Sequence, residues 1–162
     1  MLNPVPATDV VMIELCGAPE GKGRPRFRSI TTKTGASFGS AYTPANTRKY
    51  EAALRLAAQA AMVDRPLFEA AVAVTVHADM PVPVSWSRKK RDAALRDEIL
   101  PTTKPDWENI AKMLDAFNEV VWRDDRQVTD GQVIKRYREK PALRIEVRPI
   151  RPQNLLTGAE AR

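Results

Sequence analysis

The chain carries one cysteine and one histidine in 162 residues. A single cysteine excludes an internal disulfide and a thiolate zinc site. Cys16 is therefore expected to be a small buried apolar residue ending a strand. A single histidine excludes a multi-histidine metal centre and leaves little scope for a histidine-based nucleophile relay. His77 lies in the alternating run Val72–His77, opposite the valines, where a structural or solvent-facing role is expected. No apolar run approaches the length of a membrane span. No amino-terminal stretch has the charged, apolar and small-residue order of a signal peptide, so no membrane partner and a cytoplasmic setting are expected. Between Gly21 and Tyr50 there is no Asp or Glu.

That acid-free stretch holds seven cations: Lys22, Arg24, Arg26, Arg28, Lys33, Arg48 and Lys49. The formal net charge of +6 favours an anionic partner. Residues 17–28 read as a loop because of their glycines and prolines. The loop is no P-loop, since no Gly-Lys-Ser/Thr follows it. Its one-sided charge, with glycines that let backbone approach a phosphate, marks Lys22, Arg24 and Arg26 as candidate nucleic-acid contacts. The alternative is a solvated loop. The basic segments lack an obvious set of aromatic stacking residues, which argues against RNA.

The remaining pattern predicts one α+β domain over residues 1–148, with a small mixed β-sheet and helices packed against it, and a flexible tail over 149–162. Val10–Cys16 alternates as a first strand. Thr43 and Pro44 are expected to be the N-cap and first residue of a helix running to about Met62. Its stripe is Tyr50, Leu54, Ala57, Ala58 and Ala61, and the many alanines hint at dimerisation. Residues 67–79 read as a strand ended by Pro81 and Pro83. Ser87 caps a short basic helix to Arg96, exposed or on phosphate. Val128–Tyr137, with Gly131 as a possible bulge, and the alternating Leu143, Ile145 and Val147 complete the strands.

Between them lies an acidic unit in this basic chain. Ile110, Met113, Leu114 and Phe117 follow helical spacing and predict a buried stripe from Trp107 to Asn118. Asp106 precedes the helix as an N-cap. Glu108 and Lys112 share a face one turn apart. Such a helix is about 18 Å long, and an extended return through residues 119–124 covers about 20 Å. Asp125 is thereby able to come back beside Asp106 and Glu108, provided the chain at Asp106 is still extended. Three carboxylates there suit a hard cation such as Mg²⁺ that keeps positions for water and phosphate. Lys112 would stabilise charge, orient water or protonate a leaving oxygen. The same residues also read as a cap, an i, i+4 ion pair and a turn, and spacing alone leaves both open.

Lys104-Pro105-Asp106-Trp107-Glu108-Asn109-Ile110-Ala111-Lys112, then Leu114–Asn118, then Trp122–Val128 resembles the central motif of the RusA family of Holliday junction resolvases, in its phage and prophage-type form. Gly21–Phe27 and Tyr42–Pro44 resemble it too, so the likeness runs over roughly residues 10–148. It implies a homodimeric, Mg²⁺-dependent (or Mn²⁺-dependent) endodeoxyribonuclease that resolves four-way DNA junctions by paired nicks, in a bacterial or phage-infected cell. By position it implies metal-binding and catalytic roles for Asp106, Glu108 and Asp125, and a catalytic role for Lys112. Glu108 stands where that family usually has Asp, and Lys112 and Asp115 are one residue closer than in some members. The rival functions are a branched-DNA-binding module with a degenerate acidic pocket, and a nuclease for flaps or other branched DNA.

Overall fold

Alternation decides the sheet. Val11 and Ile13, Val74 and Val76, and Leu143, Ile145 and Val147 all point to one face and are buried there. The computed structural model describes residues 10–150. Its principal sheet has four strands in the order β1 (Val11–Cys16), β6 (Ala142–Pro149), β4 (Val72–Pro81) and β5 (Val128–Arg138). β6 is antiparallel to both β1 and β4, whereas β4 and β5 are parallel. The sheet is thus mixed and the class α+β, as expected from the sequence. A transverse row of Ile13, Ile145, Val76 and Val133 shows the register.

The helices supply the second layer. α1 (Ala45–Ala61) buries Leu54 and Ala58 against the sheet, with Tyr50, Ala57 and Ala61 along the same flank. α2 (Arg88–Leu95) is capped by Ser87, whose Oγ accepts from the Lys90 N–H at 3.4 Å. It buries only Ala94, and its charged face stays in water. α3 (Trp107–Ala111) continues as a 3₁₀ segment, Lys112–Phe117. Ile110, Met113, Leu114 and Phe117 are buried as their spacing predicts. Trp122 is wholly buried, stacked edge-on to Phe117 at 5.4 Å, and its Nε1–H donates to Asn118 Oδ1 at 2.9 Å. On the opposite face of the sheet, Asp79 is buried and paired with the Arg144 guanidinium through bonds of 2.9 and 3.1 Å. No helix among the described residues is long and apolar enough to cross a membrane.

Several expectations need correction. The loop expected over residues 17–28 gives way at Arg26 to an antiparallel hairpin, β2 (Arg26–Thr31) and β3 (Ser37–Tyr42), where the sequence pattern predicts no element. Its turn closes through Thr32 and Gly35, and Gly35 takes φ +84°, which suits glycine. Pro44, not Thr43, is the N-cap of α1, with extended ψ and no side-chain cap bond. Cys16 is exposed at the end of β1. β4 begins at Val72, and Phe68 makes only an isolated bridge to Trp122. The register of β5 slips across Thr129, because Val72 pairs with Val128 and Ala73 with Asp130. Gly131 itself is regularly paired with Val74. Val120–Trp122 is no extended return but part of a tight buried turn, in which Glu119 holds φ +60° and donates its N–H to Trp122 O at 2.7 Å. Pro149 and Ile150 are tied into the sheet, the latter through an N–H bond to Ala71 O at 2.8 Å. The rest of the expected tail, and the first nine residues of the expected domain, lie outside the described residues.

Candidate active site

The acidic unit begins where a β-type residue turns into a helix. Asp106 is extended, with φ −76° and ψ 162°, and its Oδ1 accepts from the Asn109 N–H at 3.0 Å. One carboxylate oxygen thus satisfies an otherwise unpaired amide at the start of α3. The extended conformation is the condition on which Asp106 and Glu108 can face one region. Glu108 sits in the first turn, and Lys112 Nζ donates to its Oε1 at 2.5 Å. Both side chains are more than half exposed, so this pair contributes little to stability.

Asp125 starts a 3₁₀ turn, Asp125–Gln127, and its position is fixed by its neighbours. Asp124 Oδ1 accepts from the Arg126 N–H at 3.0 Å, and the Arg126 guanidinium beside it holds the Asp124 carboxyl below the usual carboxylate range. Gln127 closes the turn from the other side. Its Oε1 accepts from the N–H groups of Arg123 (2.8 Å) and Asp124 (3.2 Å), while its Nε2 donates to Phe68 O (2.8 Å) and Ala70 O (3.0 Å). The Asp-x-x-Gln spacing was a legible sign of this capping box. Gln127→Ala is expected to cost about 1 kcal/mol of stability and to lower any catalysis that uses Asp125 by roughly 10-fold or more through misplacement. A thermal melt together with single-turnover rates would check both; an unchanged rate would leave Gln127 a structural clasp only.

Two concavities meet at the start of α3. One is a cleft of about 240 Å³, floored by Val74, Val76 and Val133, with Trp107, Asp115 and Asp125 along its lining. The other is an open groove of about 760 Å³, bordered by Asp106, Lys104, Lys22 and Arg24. Asp106 and Asp125 therefore open onto different hollows. Among the described residues no three carboxylate, histidine or cysteine side chains gather as a metal cluster. Asp106 and Glu108 sit at the start of α3 and Asp125 lines the cleft that Trp107 also lines, but the three do not come onto one point. Their hard oxygen donors suit a small divalent cation, which needs only one or two carboxylates when water and phosphate complete its shell. Glu108 would have to turn from Lys112 to take part.

The basic loop reaches this region through close backbone contact. The Lys22 N–H donates to Asn109 O at 2.8 Å. A Cβ on Gly21 would stand 2.8 Å from Pro105 Cβ and 2.9 Å from Asn109 Cβ. Gly21→Ala should therefore push the loop off α3, at about 1–3 kcal/mol, and an unshifted melting curve would refute that. Lys22, expected to contact nucleic acid, bridges two carboxylates, Asp115 at 2.6 Å and Glu51 at 3.2 Å. Partial burial lowers its pKa, but hydrogen bonds and charge from Asp115 and Glu51 outweigh this and hold it above the ordinary lysine value. Arg24 and Arg26 are exposed, and among the described residues their side chains have no ion-pair partner. Lys135 was missed by sequence reasoning. It stands on the helix-covered face of β5 and donates to Thr103 O at 2.6 Å. Burial pulls its pKa down, and the nearby Asp106 charge partly restores it. Nothing in the alternation of β5 distinguishes this lysine from its neighbours.

A family model described as endodeoxyribonuclease RusA matches residues 17–148, a span that includes the basic loop, both concavities and the whole acidic unit. The Bacillus subtilis (strain 168) protein YqaN, itself described as uncharacterized, is 31% identical over 147 residues, covering 88% of this chain and 98% of its own.

Proposed function

The chain belongs to the RusA endodeoxyribonuclease family, and on that premise we propose that it is a Mg²⁺-dependent nuclease that resolves four-way DNA junctions. The observation that carries this is the placement of Asp106 at the start of α3, on a groove lined also by Lys22 and Arg24. A carboxylate beside cations suits a phosphodiester whose backbone is held by the cations while the acids serve the reacting phosphate. Asp106 and Asp125 open onto different hollows, so the three acids, Asp106, Glu108 and Asp125, would hold one ion only after Glu108 and Asp125 turn toward Asp106, and Mn²⁺ would substitute for Mg²⁺. When bound, the ion supplies an activated water and offsets charge on the reacting phosphate. Lys112, released from Glu108, would place its ammonium where negative charge grows or where the leaving oxygen takes a proton. Arg24 and Arg26 would hold the DNA backbone, with Lys22 fixing the loop that presents them.

A junction has two scissile strands related by a near two-fold axis, and a symmetric homodimer would offer two matching sites. Light scattering on the protein with junction DNA should give a dimer mass. The cleavage test uses an end-labelled four-way junction and a linear duplex, in Mg²⁺, in EDTA, and with Asp125→Asn. Paired nicks near the branch point, only in Mg²⁺ and only with the unaltered protein, are expected. Nicks in flaps and not in four-way junctions would move the activity to other branched DNA. The Glu108–Lys112 pair and the dispersed acids favour one rival, a module that binds branched DNA without cutting it. Tight junction binding with no cleavage in Mg²⁺ or Mn²⁺ would establish that rival.

A further inference from the structure

The hairpin of β2 and β3 belongs to neither layer of the fold. Its strands hydrogen-bond to each other in a sheet of their own. Every residue of β2 is exposed, and β3 is exposed except at Ser40. Large apolar side chains lie open on it, with Phe27 81% and Phe38 60% accessible. The hairpin carries Arg26, Arg28 and Lys33 and no acid. Among the described residues none of these three cations has a carboxylate partner. Its first strand follows directly from Lys22–Arg24, which border the Asp106 groove. A projecting, unpaired, cationic ribbon is thus rooted beside the acids.

We propose that this ribbon is a DNA-engaging arm that lies along a groove of a duplex flanking the reacting phosphodiester, with Arg28 and Lys33 contacting its backbone. This rests on the function proposed above and adds to it a surface and a reach. Two strands about 4.8 Å apart fit a major groove about 12 Å wide, which admits a two-stranded ribbon. Six residues at about 3.3 Å each reach about 20 Å, or roughly six base pairs from the acids at 3.4 Å per pair.

Charge selects the occupant. A second copy of the arm would bring arginine against arginine with no carboxylate on either ribbon to pair them. A single strand needs aromatic side chains on one platform to stack successive bases. Here the register puts Phe27 beside Ala41, and Phe38 and Tyr42 on the opposite face, where Tyr42 is covered by the Arg28 guanidinium at 5.9 Å. A duplex backbone satisfies the cations and asks for no such platform.

The test compares the full chain with an Arg28→Ala/Lys33→Ala variant in EDTA, so that no strand is cut. Binding of a four-way junction is measured across a salt series, with hydroxyl-radical footprinting of the same complexes. The variant should bind about 10-fold more weakly at the lower salt concentrations, and the slope of log K against log salt should fall by about 2 for each protomer bound. Protection along the flanking arm, about six base pairs out, should vanish. An Arg28→Lys/Lys33→Arg variant should keep the slope, showing that charge and not folding is at issue. Unchanged affinity and slope, with the unaltered chain still binding junctions, would overturn the arm and leave the nuclease reading intact. A dimer that becomes monomeric would assign the ribbon to a second copy, and a loss confined to single-stranded oligonucleotide would assign it to an unpaired strand; either overturns the proposal. No junction binding by the unaltered chain would remove both this proposal and the function beneath it.

Discussion

Asp106→Asn is expected to lower junction cleavage by about 10²–10³-fold or more, with no measurable fall in melting temperature. The two effects separate because Asp106 has two jobs. Its Oδ1 caps α3 through the Asn109 N–H, and asparagine caps nearly as well as aspartate. The charge is the only thing lost. Asp106→Ala removes both, so it should lose the same activity and also about 1 kcal/mol of stability. Single-turnover cleavage and a thermal melt of both variants would check this. Should Asp106→Asn cut at the normal rate, Asp106 is a cap alone and the acids of this unit are not the reacting set. Junction affinity in EDTA should not fall in either variant, since the carboxylate repels rather than attracts the backbone.

The second large effect is structural. Trp122→Ala should cost about 3–5 kcal/mol, a fall in melting temperature on the order of 10 °C for a chain of this size. Trp122 is wholly buried, packs edge-on to Phe117, bonds Asn118 through its indole N–H and bridges to Phe68. It lies just before the turn that sets Asp125, and it lines the cleft onto which that residue opens. Cleavage should therefore fall more than the loss of folded protein explains. Trp122→Phe keeps most of the packing and loses the indole N–H, so it should recover most of the stability. Calorimetry on the three proteins would check the order. Equal melting temperatures for the alanine variant and the unaltered chain would mean that the Asp125 turn does not lean on this side chain.

What could be read from the sequence follows from where physics is local. Helical spacing alone places Ile110, Met113, Leu114 and Phe117 in the core, and strict alternation places Leu143, Ile145 and Val147 there. Caps were legible where a side chain reaches its own helix, as at Ser87 and Asp106. The hairpin was not, because Ser, Thr and Gly give β2 and β3 no apolar alternation, and a ribbon exposed on both faces needs none. The tight turn at Glu119 was missed because Val120–Trp122 has the composition of a strand, and burial of Trp122 under Phe117 decides otherwise. The candidate acids rest on motif and spacing. Their division between two hollows, and the engagement of Lys22 by Asp115 and Glu51, depend on contacts between distant segments that no local pattern encodes.

The parallel pairing of β4 and β5 has a consequence in time. Parallel neighbours cannot be joined by a hairpin and need a crossover. Here the crossover runs from residue 82 to residue 127 and contains Asp106, Glu108, Lys112 and Asp125. During synthesis every one of these side chains leaves the ribosome before β5 does. The cleft that Asp125 borders has Val133 and Gln132 of β5 in its wall, and Lys135 of β5 holds the segment leading to Asp106. A nascent chain that ends at Gln127 carries the complete acidic set and has no wall to hold it, so the chain would acquire its capacity to cut DNA only as its penultimate strand docks.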